Sequence, residues 1–230
     1  AALRFENAGL NPEQRAAVRA IVDGRAIDVP FLIFGPPGTG KTVTLVEAVK
    51  QLVIRDARAR VLVCAPTNYA ADVLCERLHA LPALATPRSA MVRMMARSRR
   101  AADGSIPAAV MAHCAYDAAA QAFVPLELRA LLDARVVVAT LGTASKLCSL
   151  QGGGVGAGHF DCVVVDEAGQ ATEPELLAAA APLIGPSTQI ILAGDPQQLG
   201  PVIRSKVAKT HGLGVSLLER LFARDVYRRA

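Results

Sequence analysis

The sequence predicts an α/β protein with a doubly wound, mainly parallel sheet, because short apolar runs alternate with helical patterns. Each run is apolar on successive residues, as expected of strands that helices cover on both faces. Strands that alternate with helices are joined by right-handed crossovers, which makes the strands parallel. The predicted strands are FLIF (31–34), VLVCA (61–65), VVVAT (136–140), CVVVD (162–166) and IILAG (190–194).

The first helix is predicted from the residues that start it. Asn11 suits the N-cap and Pro12 the first helical position, and Glu13 and Gln14 follow in the first turn. Apolar residues at helical intervals predict three further helices. The four predicted helices are 12–22, 41–53, 70–81 and 174–181.

Residues 82–133 fit this alternation poorly, and we interpret them as an insertion on the sheet core of one domain, 1–230. They contain the basic tract MVRMMARSRR (91–100), the turn signal Asp103-Gly104 and the alanine-rich stretch 108–123, which we predict to be helical. The run GGGVGAG (152–158) predicts a flexible surface loop before the fourth strand.

Composition sets the broad class of the protein. With 230 residues, of which 52% are hydrophobic, the chain is long enough to bury one substantial core. Charged residues are well mixed at 20%, which argues against wholesale disorder. The net charge of +5 is a mild indication of a polyanionic partner, although many basic proteins bind none.

Cysteine spacing and hydropathy favour a soluble protein of a reducing compartment. The five cysteines form no CxxC pair and have no histidine at metal-ligand spacing, which argues against structural zinc. The uncharged run 176–194 is broken by Pro182, Gly185 and Pro186, so it indicates helix, turn and strand, not a membrane span. No signal peptide is visible at the N-terminus, and we expect a cytoplasmic protein without a membrane partner. The missing initiator Met suggests a piece of a longer chain.

The stretch GPPGTGKT (35–42) follows the first predicted strand and opens a helix, the context that a phosphate-binding loop requires. Its glycines let backbone N–H groups turn inward, and the helix N-terminus adds partial positive charge. Lys41 would reach the β and γ phosphates, and the Thr42 hydroxyl would ligate Mg²⁺. A glycine-rich turn without a ligand is the alternative, which the flanking strand and helix disfavour. The predicted nucleotide-binding residues of the loop are Gly35, Pro36, Pro37, Gly38, Thr39, Gly40, Lys41 and Thr42.

The fourth predicted strand ends on two adjacent carboxylates, Asp166 and Glu167. A phosphate loop needs a second element that holds the metal and orients an attacking water. Asp166 would hold Mg²⁺ through its water shell, and Glu167 would accept a proton from the hydrolytic water. A solvated Asp-Glu pair at the start of a turn is the usual interpretation of such a dipeptide alone, and the upstream phosphate loop disfavours it.

The fifth predicted strand leads into LAGDPQQLGP (192–201), with polar Asp195, Gln197 and Gln198. Ligands bind at the carboxyl ends of strands in open α/β sheets, and a glutamine such as Gln198 can sense a γ phosphate without titrating. Taken alone, the stretch favours a β-turn on Gly194, Asp195 and Pro196.

Two more strand ends, APTN (65–68) and TLGTAS (140–145), carry hydroxyls, an amide and backbone N–H groups before helices. These groups suit phosphodiester contacts, and the candidates are Pro66, Thr67, Asn68 and Thr140. Simple helix N-capping is the alternative and is slightly favoured on these residues alone.

In this order, the motifs resemble the first motor domain of superfamily 1 helicases, the group that contains the nonsense-mediated-decay helicase. NPEQ (11–14) is similar to the adenine-reading motif, GPPGTGKT to motif I, APTN to motif Ia, DEAGQ to motif II and GDPQQLGP to motif III. Residues 158–175 and 192–221 resemble the RNA-silencing branch that includes Armitage. The resemblance runs from about Leu10 to Arg224 and is weak across 82–133.

The resemblance implies a RecA-like P-loop NTPase that uses ATP and Mg²⁺. It implies that Gln14 reads adenine, that Lys41, Asp166 and Glu167 serve catalysis, and that Gln198 couples nucleotide state to nucleic acid. It also implies single-stranded RNA as the track, 5′-to-3′ movement, a second motor domain and RNA-silencing proteins as partners. For the arginines of the basic tract, Arg93, Arg97, Arg99 and Arg100, RNA binding and a solvated basic face both stay open.

The sequence stops at Ala230, before the arginine-bearing motifs and second motor domain that the family would place next. Phosphoryl transfer relies on such an arginine, so we expect these residues alone to bind ATP weakly, hydrolyse it slowly and not unwind RNA. The rival interpretations are a superfamily 1 DNA helicase or translocase, an ATP-switched RNA-binding module and a P-loop kinase.

Overall fold

The computed structural model of the chain describes residues 3–24, 28–86, 90–101, 105–198 and 200–228. The predicted turn at Asp103-Gly104 and Leu199 of the GDPQQLGP motif lie outside the described residues.

The core of the structure is a six-stranded sheet in which every pair of neighbouring strands is parallel. The α/β, RecA-like class predicted from the sequence is confirmed. In chain order the strands of this sheet and of a separate two-stranded hairpin are β1 (Phe31–Phe34), β2 (Val61–Ala65), β3 (Met91–Arg93), β4 (Tyr116–Asp117), β5 (Ala122–Phe123), β6 (Val136–Thr140), β7 (Cys162–Val165) and β8 (Gln189–Gly194). The spatial order of the main sheet is β1-β8-β7-β2-β6-β3, and β4 pairs with β5.

The parallel arrangement brings all carboxyl ends of the main strands to one edge of the sheet, which we call the carboxyl edge. Along it lie, in order, the phosphate loop, the segment after β8, the acidic pair after β7, the APTN segment after β2, Thr140 after β6 and the loop after β3. The five predicted strands are confirmed, with β7 ending at Val165 and β8 beginning at Gln189.

The four predicted helices are present, with ends that differ by up to two residues. The first is closed by a capping box, in which Asn11 accepts from the backbone of Gln14 and the Gln14 side chain accepts from the backbone of Asn11. The helices are α1 (Pro12–Val22), α2 (Lys41–Arg55), α3 (Asn68–His79), α4 (Pro82–Ala85), α5 (Ala108–Met111), α6 (Leu128–Asp133), α7 (Leu141–Ala144), α8 (Glu173–Ala180), α9 (Lys206–Thr210), α10 (Leu217–Phe222) and α11 (Asp225–Arg228). Short 3₁₀ segments cover Leu147–Ser149, Ala168–Gln170 and Ala181–Leu183.

Helices cover both faces of the sheet, as the unbroken apolar strands predicted. Val61 and Val63 of β2 belong to a core that includes residues of α1, α2 and α3. Leu62 and Cys64, on the opposite face of the same strand, belong to a second core with residues of α7, α8 and α10. In the described part of the chain no helix is both long enough and apolar enough to span a membrane.

The helix predicted over 108–123 is wrong beyond its first turn. After α5 the chain forms the β4–β5 hairpin, in which the Tyr116 and Phe123 rings meet edge to face with centroids 5.2 Å apart. Asp117 closes the turn by accepting from the backbone N–H groups of Ala119 and Ala120. The aromatic cross-strand pair and this aspartate turn outweigh the helical preference of alanine.

The basic tract begins with a strand that the sequence did not reveal. Met91, Val92 and Arg93 form β3, are buried and pair with β6 at the edge of the main sheet. This part of the predicted insertion therefore belongs to the sheet itself. The strand was missed because it is three residues long and ends in arginine. The organisation as one domain with the remainder of 82–133 inserted stays a prediction.

The loop at 152–158 contains turns and neither helix nor strand, although Val155 is buried in it. The cysteines are free thiols, of which Cys64, Cys75, Cys114 and Cys162 are buried and Cys148 is exposed. Burial raises the pKa of the Cys64, Cys75 and Cys114 thiols to about 12, so these side chains stay protonated and pack as small apolar groups.

Candidate nucleotide and nucleic-acid site

The phosphate loop connects β1 to α2 in a tight backbone turn. Gly40 has φ 84°, a left-handed conformation that favours glycine, and a Cβ atom at this position would displace the Gln14 side-chain amide. The Lys41 ammonium donates to the carbonyl oxygens of Gly35 (2.7 Å) and Pro36 (3.1 Å). Lysine is thus held directly over the loop that precedes it.

A cavity of about 570 Å³ lies between the start of α1, strand β1 and the phosphate loop, with Asn11, Gln14 and Phe34 among its lining residues. Gln14 Nε2 donates to the carbonyl oxygen of Thr39 at 3.0 Å, which ties the start of α1 to the loop. The cavity combines apolar walls with an amide side chain, a lining that suits a flat heterocycle beside the phosphates.

Asp166 lies directly against the phosphate loop. Its Oδ2 atom accepts from the Thr42 hydroxyl at 2.7 Å, and its Oδ1 atom accepts from the backbone N–H of Glu167 at 3.0 Å. Burial raises the pKa of the Asp166 carboxyl, while the Thr42 and Glu167 hydrogen bonds and the Lys41 charge oppose that shift.

The Thr42 hydroxyl and the Asp166 carboxylate form a pair of hard oxygen donors, the type that Mg²⁺ prefers. Within the described ranges no three His, Cys, Asp or Glu side chains cluster in a way that could hold a metal ion. The oxygen donors of Thr42 and Asp166 fit an Mg²⁺ ion that takes its other ligands from phosphate and water, as Mg²⁺ commonly does in nucleotide sites.

Glu167 has a left-handed backbone, φ 52° and ψ 36°, which is uncommon for a residue other than glycine. Such a conformation costs about 1 kcal/mol or more and is typical of functional sites. Its Oε2 atom accepts from Gln170 Nε2 at 3.1 Å. Glu167 lines a cavity of about 360 Å³ together with Lys41, Thr42 and Gln198, so the structure brings these four predicted site residues together.

The segment after β8 is a compact turn that presents Gln198 to this cavity. Asp195 accepts from the Gln197 backbone (2.8 Å) and from the Gln198 side chain (3.1 Å). A Cβ atom on Gly169 would lie 3.0 Å from the carbonyl oxygen of Asp195, so glycine in DEAGQ permits the ends of β7 and β8 to approach. The segment therefore forms the predicted turn at Asp195, and it also places Gln198 in the lining of the cavity, where a ligand-facing residue was predicted.

Arg77 is a lining residue of the same cavity that the sequence did not reveal. It lies in the last turn of α3, and its exposed side chain makes no hydrogen bond or ion pair with any other described residue. No local pattern identifies it, because its place beside the phosphate loop results from the packing of α3 on α2. The site therefore contains a second cation besides Lys41.

The predicted RNA-contact residues have structural roles that the N-capping alternative anticipated. Thr67 caps α3 by accepting from the Ala70 backbone at 3.2 Å, and Thr140 caps α7 by accepting from the Thr143 backbone at 3.3 Å. Asn68 accepts from a guanidinium N–H of Arg93 at 3.2 Å.

Pro66 and Thr67 also line a cavity of about 630 Å³ that Gln170 and Gln198 share. Gln198 thus lines both this cavity and the one that contains Lys41 and Glu167. The contacts of Pro66, Thr67, Asn68 and Thr140 with RNA remain predictions.

The basic tract divides into two pairs of arginines. Arg93, only 1% exposed, and Arg99 both bind the carboxylate of Asp72, with shortest N–O distances of 2.9 Å and 2.5 Å. The two alternatives considered for the tract, RNA binding and a solvated face, are therefore both wrong for the buried Arg93. Arg97 and Arg100 are exposed.

Comparison with known proteins identifies the family of the chain. The model of the AAA domain family matches residues 9–121 and 111–206. The chain belongs to the AAA domain family.

The curated relatives carry helicase names, which confirms the resemblance to the RNA-silencing branch of superfamily 1. The chain is 41% identical to "RNA helicase Mov10l1" of Homo sapiens over 99% of its length and 42% identical to the Mus musculus protein of that name over 98%. It is 35% identical to "Probable RNA helicase armi" of Drosophila melanogaster over 99% of its length. The matched regions make up 18%, 18% and 20% of these relatives, so the chain spans about a fifth of their length.

Proposed function

We propose that this chain is the ATP-binding first motor domain of an ATP-dependent RNA helicase that moves 5′ to 3′ along single-stranded RNA. The observation that carries the proposal is the shared cavity of Lys41, Thr42, Glu167 and Gln198 at the carboxyl edge of the sheet. RNA is preferred over DNA because the relatives named above are called RNA helicases.

ATP binds with its adenine beside Gln14 and its phosphates in the loop of residues 35–42. Backbone N–H groups of the loop hold the phosphates, and the Lys41 ammonium exchanges its bonds with the Gly35 and Pro36 carbonyls for phosphate oxygens. Thr42 and Asp166 would hold Mg²⁺, which would supply positive charge to offset that of the phosphates.

Hydrolysis uses Glu167 as the general base. Its carboxylate takes a proton from the attacking water as the water oxygen bonds to the γ phosphorus and the bond to the β–γ bridging oxygen breaks. The hydrogen bond from Gln170 and the left-handed backbone support this role, because both restrict where the carboxylate can lie.

Coupling to RNA is assigned to the two adjoining cavities. Gln198 lines both of them, so a change at the γ phosphate can alter the surface at Pro66 and Thr67. Asn68 and Thr140 would add contacts to the RNA backbone.

Unwinding, partners and location are properties of the whole protein. We propose a second motor domain as the partner that completes the cleft, RNA-silencing proteins as further partners and the cytoplasm as the compartment. Slow hydrolysis and absent unwinding by these 230 residues alone stay predictions.

The test is single-turnover ATP hydrolysis and ATP binding by the full-length protein and its Glu167→Gln variant, with Glu76→Gln on α3 as the charge-matched control. We expect Glu167→Gln to keep ATP affinity and to slow hydrolysis by about 100-fold or more, because only the base is lost. Unchanged hydrolysis in Glu167→Gln would refute the catalytic role and favour an ATP-switched RNA-binding module. Stronger stimulation by single-stranded DNA than by RNA would favour a DNA translocase.

A further inference from the structure

The loop after β3 lies at the carboxyl edge, next in order after the segments that carry Thr67 and Thr140. Neighbouring strands in a sheet are about 4.8 Å apart, so this loop begins roughly 10 Å from the end of β2. A nucleic acid that contacts Thr67 and Thr140 and continues in the same direction therefore reaches residues 94–101 next.

This loop is fixed in place by the pair of buried ion contacts to Asp72. Arg99 donates to both carboxylate oxygens of Asp72, and Arg93 donates to one of them. Arg93 also donates to Asn68 of the APTN segment at 3.2 Å. This hydrogen bond connects the start of the loop to the APTN segment, which is itself predicted to contact RNA.

The anchoring leaves two arginines of the loop available to a ligand. Arg97 and Arg100 flank Arg99, are exposed, and make no hydrogen bond or ion pair with any residue in the described ranges. Because Arg99 is held by Asp72, the backbone that carries its neighbours is ordered before a ligand arrives.

Arg97 and Arg100 line a cavity of about 630 Å³ opposite the β4–β5 hairpin, whose Tyr116 and Gln121 form the other wall. No acidic side chain belongs to this lining in the described part of the chain. A positively charged groove with an aromatic side chain is the combination by which proteins bind single-stranded nucleic acid without reading sequence.

We infer that the loop after β3 and the β4–β5 hairpin form a binding site for the RNA backbone, in which Arg97 and Arg100 contact phosphates of the strand that also contacts the APTN segment. The inference rests on the proposed function and extends it, since it names a site outside the helicase motifs. The site adds affinity for RNA, takes no part in hydrolysis, and has no preference for sequence, because phosphate contacts carry none.

The test is fluorescence anisotropy of labelled single-stranded RNA with the chain and its Arg97→Ala/Arg100→Ala double variant over a range of salt concentrations. The matched control is Arg58→Ala/Arg129→Ala, which also removes two exposed arginines, one in the turn before β2 and one on α6. The loss of two phosphate contacts should lower RNA affinity about tenfold at 0.15 M salt and reduce the slope of log K against log salt by about 1.4. The control variant should show much smaller changes than the double variant, both in RNA affinity and in the slope of log K against log salt.

Two further measurements make the outcome decisive. ATP affinity and the thermal midpoint should be the same for the double variant and the parent chain, because neither arginine side chain has a partner to lose among the described residues. RNA containing 4-thiouridine should cross-link to residues 94–101 or 116–122. Equal affinity and salt slope for the double variant and the control, with RNA binding by the parent chain intact, would overturn this site alone. A parent chain that binds ATP but no RNA would overturn the site together with the RNA part of the proposed function.

Discussion

At the scale of single residues, Asp166 is a buried carboxylate, and burying a charged group costs free energy of folding. Its carboxylate is 2% exposed, and burial raises its pKa, so ionisation is disfavoured by the surroundings. The Thr42 hydroxyl and the Glu167 backbone N–H offset part of that cost by donating hydrogen bonds to it. A carboxylate held this way is poised to interact with a cation, which is the role proposed for it.

Arg77 gives a prediction at the same scale. Replacing it with alanine removes a cation from the cavity that contains Lys41 and Glu167, so ATP affinity should fall about fivefold, while affinity for RNA stays unchanged. Titration with a fluorescent ATP analogue measures the effect, and Arg77→Lys should retain part of the affinity. If Arg77→Ala binds the analogue as tightly as the Arg129→Ala control, Arg77 does not contact the phosphates.

At the scale of elements, the largely buried cluster of Asp72, Arg93 and Arg99 joins α3, β3 and the loop after β3. One carboxylate is shared by two guanidinium groups, and Arg93 further donates to the Met94 carbonyl at 2.6 Å. This cluster explains why a sequence that appears as a basic surface tract contains a buried arginine. It also links the edge strand of the sheet to the helix that begins at the APTN segment.

Asp72→Ala tests the cluster, because it leaves Arg93 buried without its ionic partner. Loss of one partner of a buried pair costs about 3–5 kcal/mol, so the thermal midpoint should fall by about 6 °C or more. Glu76→Ala, one turn later on the exposed side of α3, should leave the midpoint nearly unchanged. Similar midpoints for the two variants in differential scanning calorimetry would show that the cluster contributes little to stability.

How far the sequence predicts each element depends on how local the decisive interaction is. Four of the five predicted strands are almost wholly buried, and burial on both faces leaves an unbroken apolar run such as VLVCA at 61–65. The fifth, β1, is a partly exposed edge strand that was predicted from its apolar run alone. Strand β3 and the β4–β5 hairpin were not predicted, because their pairing partners are set by the fold and their segments are short. Within the site, Lys41 and Asp166 were predicted from strand ends, whereas Arg77 reaches the cavity only through helix packing.

At the scale of the whole molecule, one edge of the sheet carries the candidate nucleotide site at one end and the basic loop at the other. The spatial strand order, in which β8 and β7 lie between β1 and β2, sets the acidic pair between the phosphate loop and the APTN segment. Residues far apart in sequence, such as Thr42 and Asp166, thereby come within 2.7 Å. The central claim is that ATP occupies this edge with its γ phosphate between Lys41 and Glu167.

A crystal structure of the chain with Mg²⁺ and a non-hydrolysable ATP analogue tests that claim most directly. The account predicts the γ phosphate in the cavity lined by Lys41, Glu167 and Gln198, Mg²⁺ beside Thr42 and Asp166, and the Lys41 ammonium transferred from the loop carbonyls to phosphate oxygens. An analogue bound elsewhere on the molecule, or one whose γ phosphate lies away from Glu167, would contradict it.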